Sequence, residues 1–204
     1  MPRVLAAAIL AALAGCATSA PPPSVPLFVE SASGWQVPPR DMAQIVFLTP
    51  GATPASTAAN ALYELEGERR TLVAALAAHA ASLQLVRPGH HVFMAYGREA
   101  HLLEADVEGG ARYYVLMRAV GPAGLEPLPV RMTDDAEISI RHAEATQWLL
   151  DTELVDKTPA ADAWFARRDA QVALAQAAAL AAWQRKSAAE RAALTLQPGD
   201  AAMR

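Results

Sequence analysis

The apolar residues of this chain change period near Asp134, from short segments suited to strands to a spacing suited to helices. Before that point, the segments 43–48, 61–65, 72–76, 82–86, 91–96, 102–107, 112–119 and 128–132 are separated by turn chemistry and read as strands. Pro50-Gly51 ends the first, and Glu66-Gly67-Glu68 separates the second from the third. Arg87-Pro88-Gly89 carries the Pro-Gly pair of a type II turn, whose third position needs positive φ, and Gly109-Gly110 supplies a tight reversal between its flanking strands. Over 112–119, Tyr113, Val115 and Met117 form a wholly apolar face opposite Arg112, Tyr114, Leu116 and Arg118. Over 101–108, His101, Leu103, Ala105 and Val107 oppose Leu102, Glu104, Asp106 and Glu108, so one side of this strand is buried and most of the other is wet.

Downstream, 144–150 reads as a short helix and 160–186 as a long one, with Pro159 suited to its first turn. Phe165, Val172, Ala179 and Trp183 fall on one stripe of that helix, and Ser187-Ala188-Ala189-Glu190 has capping-box spacing for a last helical segment. The run 170–184 carries no charge, but it is too short to span a bilayer and contains three glutamines. The expected fold class is therefore α+β: a small antiparallel β-sandwich followed by a C-terminal helical segment packed on it.

Composition limits what such a fold can do. The chain has 204 residues, 53% apolar and 19% charged, which excludes a disordered protein. Much of the apolar content is alanine, which favours helix and buries little area. A net charge of −4 offers no basic footprint for nucleic acid, and one cysteine excludes a disulfide framework or a multi-cysteine zinc site.

That cysteine marks the N-terminal address. Met1-Pro2-Arg3 is a short positive segment, followed by an apolar run over 4–13 that is too short for a membrane span and reads as the core of an export signal. Leu13-Ala14-Gly15-Cys16 resembles the lipobox of bacterial lipoprotein precursors. The resemblance implies signal-peptidase recognition of Leu13, Ala14 and Gly15, cleavage before Cys16, and diacylglycerol on the Cys16 thiol. Removing residues 1–15 takes away one arginine and no acid. Ala17, rather than Asp, follows the cysteine, which in the enteric sorting pattern implies the outer membrane. Residues 17–26 are small, polar and proline-rich, as befits a spacer. The expected organisation is a signal peptide over 1–15, lipidated cysteine and tether over 16–40, a β-sandwich domain over 41–133 and a helical region over 134–204.

The candidate chemistry is sparse. His90 and His91 are neighbours on a strand and point to opposite faces, so a shared metal would need a bulge. Asp134, Asp135 and Glu137 lack the calcium-loop spacing and read as a solvated acidic cluster at the start of the helical region. Trp148, Trp164, Phe165 and Trp183 are expected to pack on the sheet. No GxSxG, P-loop, GxGxxG, HExxH or CxxC motif occurs. Arg87-Pro88-Gly89-His90-His91-Val92-Phe93, Leu103-Glu104-Ala105-Asp106 and Arg112-Tyr113-Tyr114-Val115 resemble β-sandwich domains of bacterial envelope lipoproteins, and distantly the PEGA domains. This resemblance covers about 43–133 and implies a non-enzymatic envelope module with no catalytic residues; the diverging histidines and the spacing of the acidic cluster lead to the further expectation of no metal and no cofactor.

The expected function is a lipid-anchored binding or scaffold module facing the periplasm. Its partners are the membrane, through Cys16, and an envelope protein or the cell wall. The alternative is a hydrolase or metal-dependent enzyme whose site is assembled from His90, His101, Asp134 and His142. Cys16→Ser should release the protein from membranes and abolish metabolic acyl labelling; a variant that still labels and pellets with membranes refutes the anchor.

Overall fold

The computed structural model describes residues 26–51, 60–121 and 124–203. Leu13, Ala14, Gly15 and Cys16, with the rest of the signal and most of the spacer, lie outside the described residues. Eleven strands and four helices are described, and the strands form two sheets. The first sheet has the order β1 (Phe28–Glu30), β10 (Glu153–Lys157), β5 (Ala80–Val86), β2 (Ala43–Thr49), β8 (Arg112–Ala119), β9 (Leu125–Pro129). The second has the order β11 (Thr195–Leu196), β7 (Ala100–Val107), β6 (Gly89–Tyr96), β3 (Asn60–Glu66), β4 (Arg69–Leu76).

Alternation along the strands builds the shared core. Ala43, Ile45 and Phe47 of β2 and Tyr113, Val115 and Met117 of β8 meet Leu62, Phe93, Ala95, Leu103 and Ala105 of the second sheet in one buried cluster. Phe47 and Phe93 make an edge-to-face contact across it, with centroids 5.2 Å apart. The apolar face expected for 112–119 is thus the core face, as is that of Leu103, Ala105 and Val107.

Both outer faces are covered as well. On the first sheet, Val46, Leu48, Ala81, Tyr114 and Leu154 pack with Ile138, Ile140 and with Trp148 and Leu149 of α1 (Ala143–Leu150). On the second, Tyr63, Leu65, Met94 and Leu102 pack with Trp164 and Phe165 of α2 (Pro159–Ala166) and Val172, Ala179 and Trp183 of α3 (Asp169–Arg185). The four aromatics of the helical region are therefore packing residues. Burial, followed by the neighbouring Tyr96 and Asp169, pushes the Tyr63 phenol well above its usual range, against the pull of Arg70 and Arg168.

Several expectations need correction. The single helix over 160–186 is broken between α2 and α3. The Arg168 guanidinium bonds the Trp164 carbonyl at 2.9 Å and lies 3.6 Å from the centroid of its ring. Arg70 of β4 then grips Asp169, in the first turn of α3, through two nitrogens at 2.8 and 3.2 Å, and reaches Gln176 at 2.9 Å. A carboxylate near a helix N-terminus is favourable by itself, and the guanidinium fork adds direction.

The sheets are not wholly antiparallel: β2–β8, β5–β10 and β7–β11 pair in parallel. Gly109-Gly110 does reverse the chain, but it carries it from one sheet to the other, so β7 and β8 do not pair. A Cβ on Gly109 would lie 2.6 Å from the Arg40 carbonyl oxygen, and Gly110 has φ of +72°, so this crossing requires its glycines. The strand expected over 128–132 instead occupies β9, whose Pro127 and Pro129 are tolerated because β9 is an edge.

The expected boundaries also cut through both sheets. β1 arises within the stretch read as tether, and β10 and β11 arise within the stretch read as helical. The last residues then strap the sheets together. Leu196 is fully buried in the shared core, while the Ala202 amide donates to the Arg112 carbonyl at 2.8 Å and the Arg112 amide to the Met203 carbonyl at 3.0 Å.

Trp183→Ala should cost about 3–5 kcal/mol in urea unfolding, because it empties a large buried site between α3 and the second sheet. Leu174→Ala, on the exposed side of α3, should stay within about 0.5 kcal/mol of the parent.

Candidate binding cleft

A concavity of about 410 Å³ lies where β8 and β9 meet the 136–138 segment and α4 (Ala188–Ala193). That volume falls in the range of small-ligand sites. Leu128, Pro129, Ile138, Ala193 and Leu194 supply its apolar lining, and Arg118, Arg131 and Lys186 stand among Glu126, Glu137 and Glu190.

Local chemistry positions each charged group. Arg118 and Glu126 are directly paired across β8 and β9, with Nη2 2.9 Å from the carboxylate, and a second Arg118 nitrogen lies 3.6 Å from Glu137. Glu190 closes the capping box expected at Ser187: the Ser187 amide donates to its carboxylate at 2.7 Å, and the Glu190 amide donates to Ser187 Oγ at 3.2 Å. Hydrogen bonds from the Ser187 side chain and then its backbone hold the Glu190 carboxyl below its usual range. The anionic form is therefore held at the cleft rim near neutral pH.

Arg131 is the keystone of the cleft wall. Its Nη1 donates to Asp200 at 2.6 Å and to the Thr195 carbonyl at 2.8 Å, and its Nη2 donates to the carbonyls of Ala192 and Ala193 at 3.0 and 2.9 Å. The last two bonds satisfy carbonyls at the α4 C-terminus, where a cation also complements the helix dipole. Asp200 in turn accepts from the Gln197 amide at 2.8 Å, which ties the C-terminal strap to the cleft.

The histidines lie elsewhere. His90 pairs with Asp106, its cross-strand neighbour, at 2.9 Å, whereas His91 contacts Glu64 at 2.7 Å through Nδ1 and the Arg87 carbonyl at 2.7 Å through Nε2. The two rings thus have different partners, as opposite orientations on a strand require. His101 pairs with Ala95, five residues along β6 from His90, a separation of about 17 Å at strand rise. Its Nε2 is buried without a hydrogen-bond partner.

His142 Nε2 donates to the Asp134 carbonyl at 3.1 Å, in a segment whose Ile138 and Ile140 pack on the outer side of the first sheet. The structure brings Asp134 and His142 together but leaves His90 and His101 on the other sheet. The acidic cluster does not sit at a helix start either, since α1 begins only at Ala143. Asp134 instead lies 3.8 Å from Arg141, and Glu137 faces Arg118. Among the described residues, no group of three or more His, Cys, Asp or Glu side chains is placed to hold a metal ion. No described helix is long and apolar enough to cross a membrane.

Sequence reasoning reached Glu137, Ser187 and Glu190 but missed Arg118, Arg131 and Lys186 as cleft residues. Their convergence depends on the strap and on β8–β9 pairing, and the one local signal was the capping box. No known family matches the chain, and comparison with curated proteins and with solved structures returns no match.

Arg131→Ala should destabilise the fold by about 3 kcal/mol in chemical denaturation, because it strands the nearly buried Asp200 carboxylate. Arg118→Ala, which removes only partly exposed ion pairs, should cost less than about 1 kcal/mol.

Proposed function

We propose that the protein is a lipid-anchored component of the bacterial envelope, held to the outer membrane through Cys16, and that its β-sandwich with helical layers acts as a non-enzymatic binding or scaffold module facing the periplasm.

 The observation that carries this reading is the placement of the cleft. The strand order puts β1, which the spacer feeds, at one edge of the first sheet and β9, which lines the cleft, at the other. Five inter-strand steps separate them, about 24 Å. A body tethered at the β1 edge presents the cleft on its far side, toward the periplasm and its soluble or wall-bound partners.

The lining suits a polypeptide segment. An apolar floor receives side chains, while carboxylates and cations in alternation face the amide groups and mixed charges that a peptide carries. The partner is thus an envelope protein or a peptide portion of the cell wall. The separation of His90 and His101 from Asp134 and His142 supports this reading over a hydrolase assembled from those four residues.

The test is photocrosslinking in living cells, with a photoreactive residue at Ala136 in the cleft and, as a control, at Gln171 on the exposed side of α3. Discrete adducts are expected from position 136 alone, and Lys186→Glu should remove them. Absence of any adduct from position 136, or an identical pattern from position 171, refutes the cleft as the binding surface.

A further inference from the structure

We propose that the apolar surface around Trp35, at the edge of the first sheet fed by the spacer, rests on the bilayer that holds Cys16. This inference depends on the lipid anchor proposed above and adds a second, reversible contact that orients the folded body.

Large apolar side chains are exposed in concentration here. Val37 is 78% exposed, Val29 48%, Trp35 44% and Leu85 41%. Strand register puts Val29 and Leu85 on a common side. Val29 pairs with Asp156, which shares a face of β10 with Leu154, and Leu85 pairs with Gln44 on the outer side of β2. Val37, Leu83, Leu85 and Leu154 line a small cleft of about 150 Å³ between the 31–39 segment and the sheet.

The segment that carries Trp35 is fastened from below. Arg112, itself nearly buried, donates to the Gln36 carbonyl and to the Gln44 side chain, and its guanidinium lies 5.7 Å from the centroid of the Trp35 ring. Trp35 is thus held on the body while its ring remains half exposed. A tryptophan with one apolar and one wet side is suited to the bilayer interface.

The spacer places this surface within reach. Leu27 is buried, and the preceding Pro26 carbonyl accepts a 2.8 Å bond from Thr158 Oγ1, which ties this end of the spacer to the body. Pro26 lies ten positions after Cys16, at most about 35 Å when fully extended. Once the anchor is inserted, the local concentration of membrane at the patch is high, so even a weak contact is populated. Asp156 lines the cleft and Glu30 is exposed on β1. Apolar insertion therefore drives the contact, zwitterionic lipid suffices, and added salt should not weaken it.

The test uses the full lipidated protein in phosphatidylethanolamine–phosphatidylcholine vesicles, with flotation to measure anchoring and brominated acyl chains to quench interfacial tryptophan. The expected result is flotation with quenching of the parent, loss of most of that quenching in Trp35→Phe, and weaker quenching in Val37→Glu with flotation unchanged. Flotation with equal quenching of parent and Trp35→Phe overturns the docking surface and leaves the anchor standing. A parent that does not float overturns the anchor and this inference together. A patch that instead joins two copies, seen as a dimer abolished by Val37→Glu with no Trp35 quenching, also overturns it.

Discussion

Burial of β2 along all seven of its residues is the constraint from which the layered architecture follows. A strand points its side chains alternately to two faces, so a strand with no exposed residue requires a packed layer on each. Ile45 and Phe47 face the second sheet, while Val46 and Leu48 face the α1 side. The second sheet meets the same demand with α2 and α3. The helices are therefore structural layers, and the alanine-rich α3 packs through Val172, Gln176, Ala179 and Trp183.

Apolar burial draws these layers together without fixing their alignment, because it lacks direction. Three arginines supply that direction. Arg70 fastens α3 to β4, Arg112 fastens the 31–39 segment to β2 and β8, and Arg131 fastens α4 and the C-terminal strap beside β9. Each joins segments far apart in sequence, and each bonds backbone carbonyls as well as side chains. A planar guanidinium with several fixed donors suits that task better than a lysine would.

Much of the strand content was legible because alternation and turn chemistry are local properties. Tyr113, Val115 and Met117 could be assigned to a core face from spacing alone, and Ser187 and Glu190 could be read as a helix cap for the same reason. The misses share a different origin. β1, β10 and β11 are short, and each becomes a strand by pairing with a distant segment. The break between α2 and α3 coincides with a contact from Arg70 to Asp169 that spans 99 positions. The cleft was invisible for this reason too: Arg118, Arg131 and Lys186 meet only after the strap has closed.

The parallel pairing of β2 with β8 has a consequence for how the chain reaches this state. Residues 44–48 align with residues 112–116, so the central pair closes only across the whole intervening stretch, which holds β3, β4, β6 and β7 of the second sheet. Closure also waits for the strap, whose Ala202 and Met203 bond Arg112. Such non-local contacts raise contact order and slow folding. During that interval the apolar edges of β2 and β8 are open to intermolecular pairing. The chain is therefore most vulnerable to aggregation until residues 195–203 have docked against β7 and β8, and protection by a holding chaperone matters most in that window.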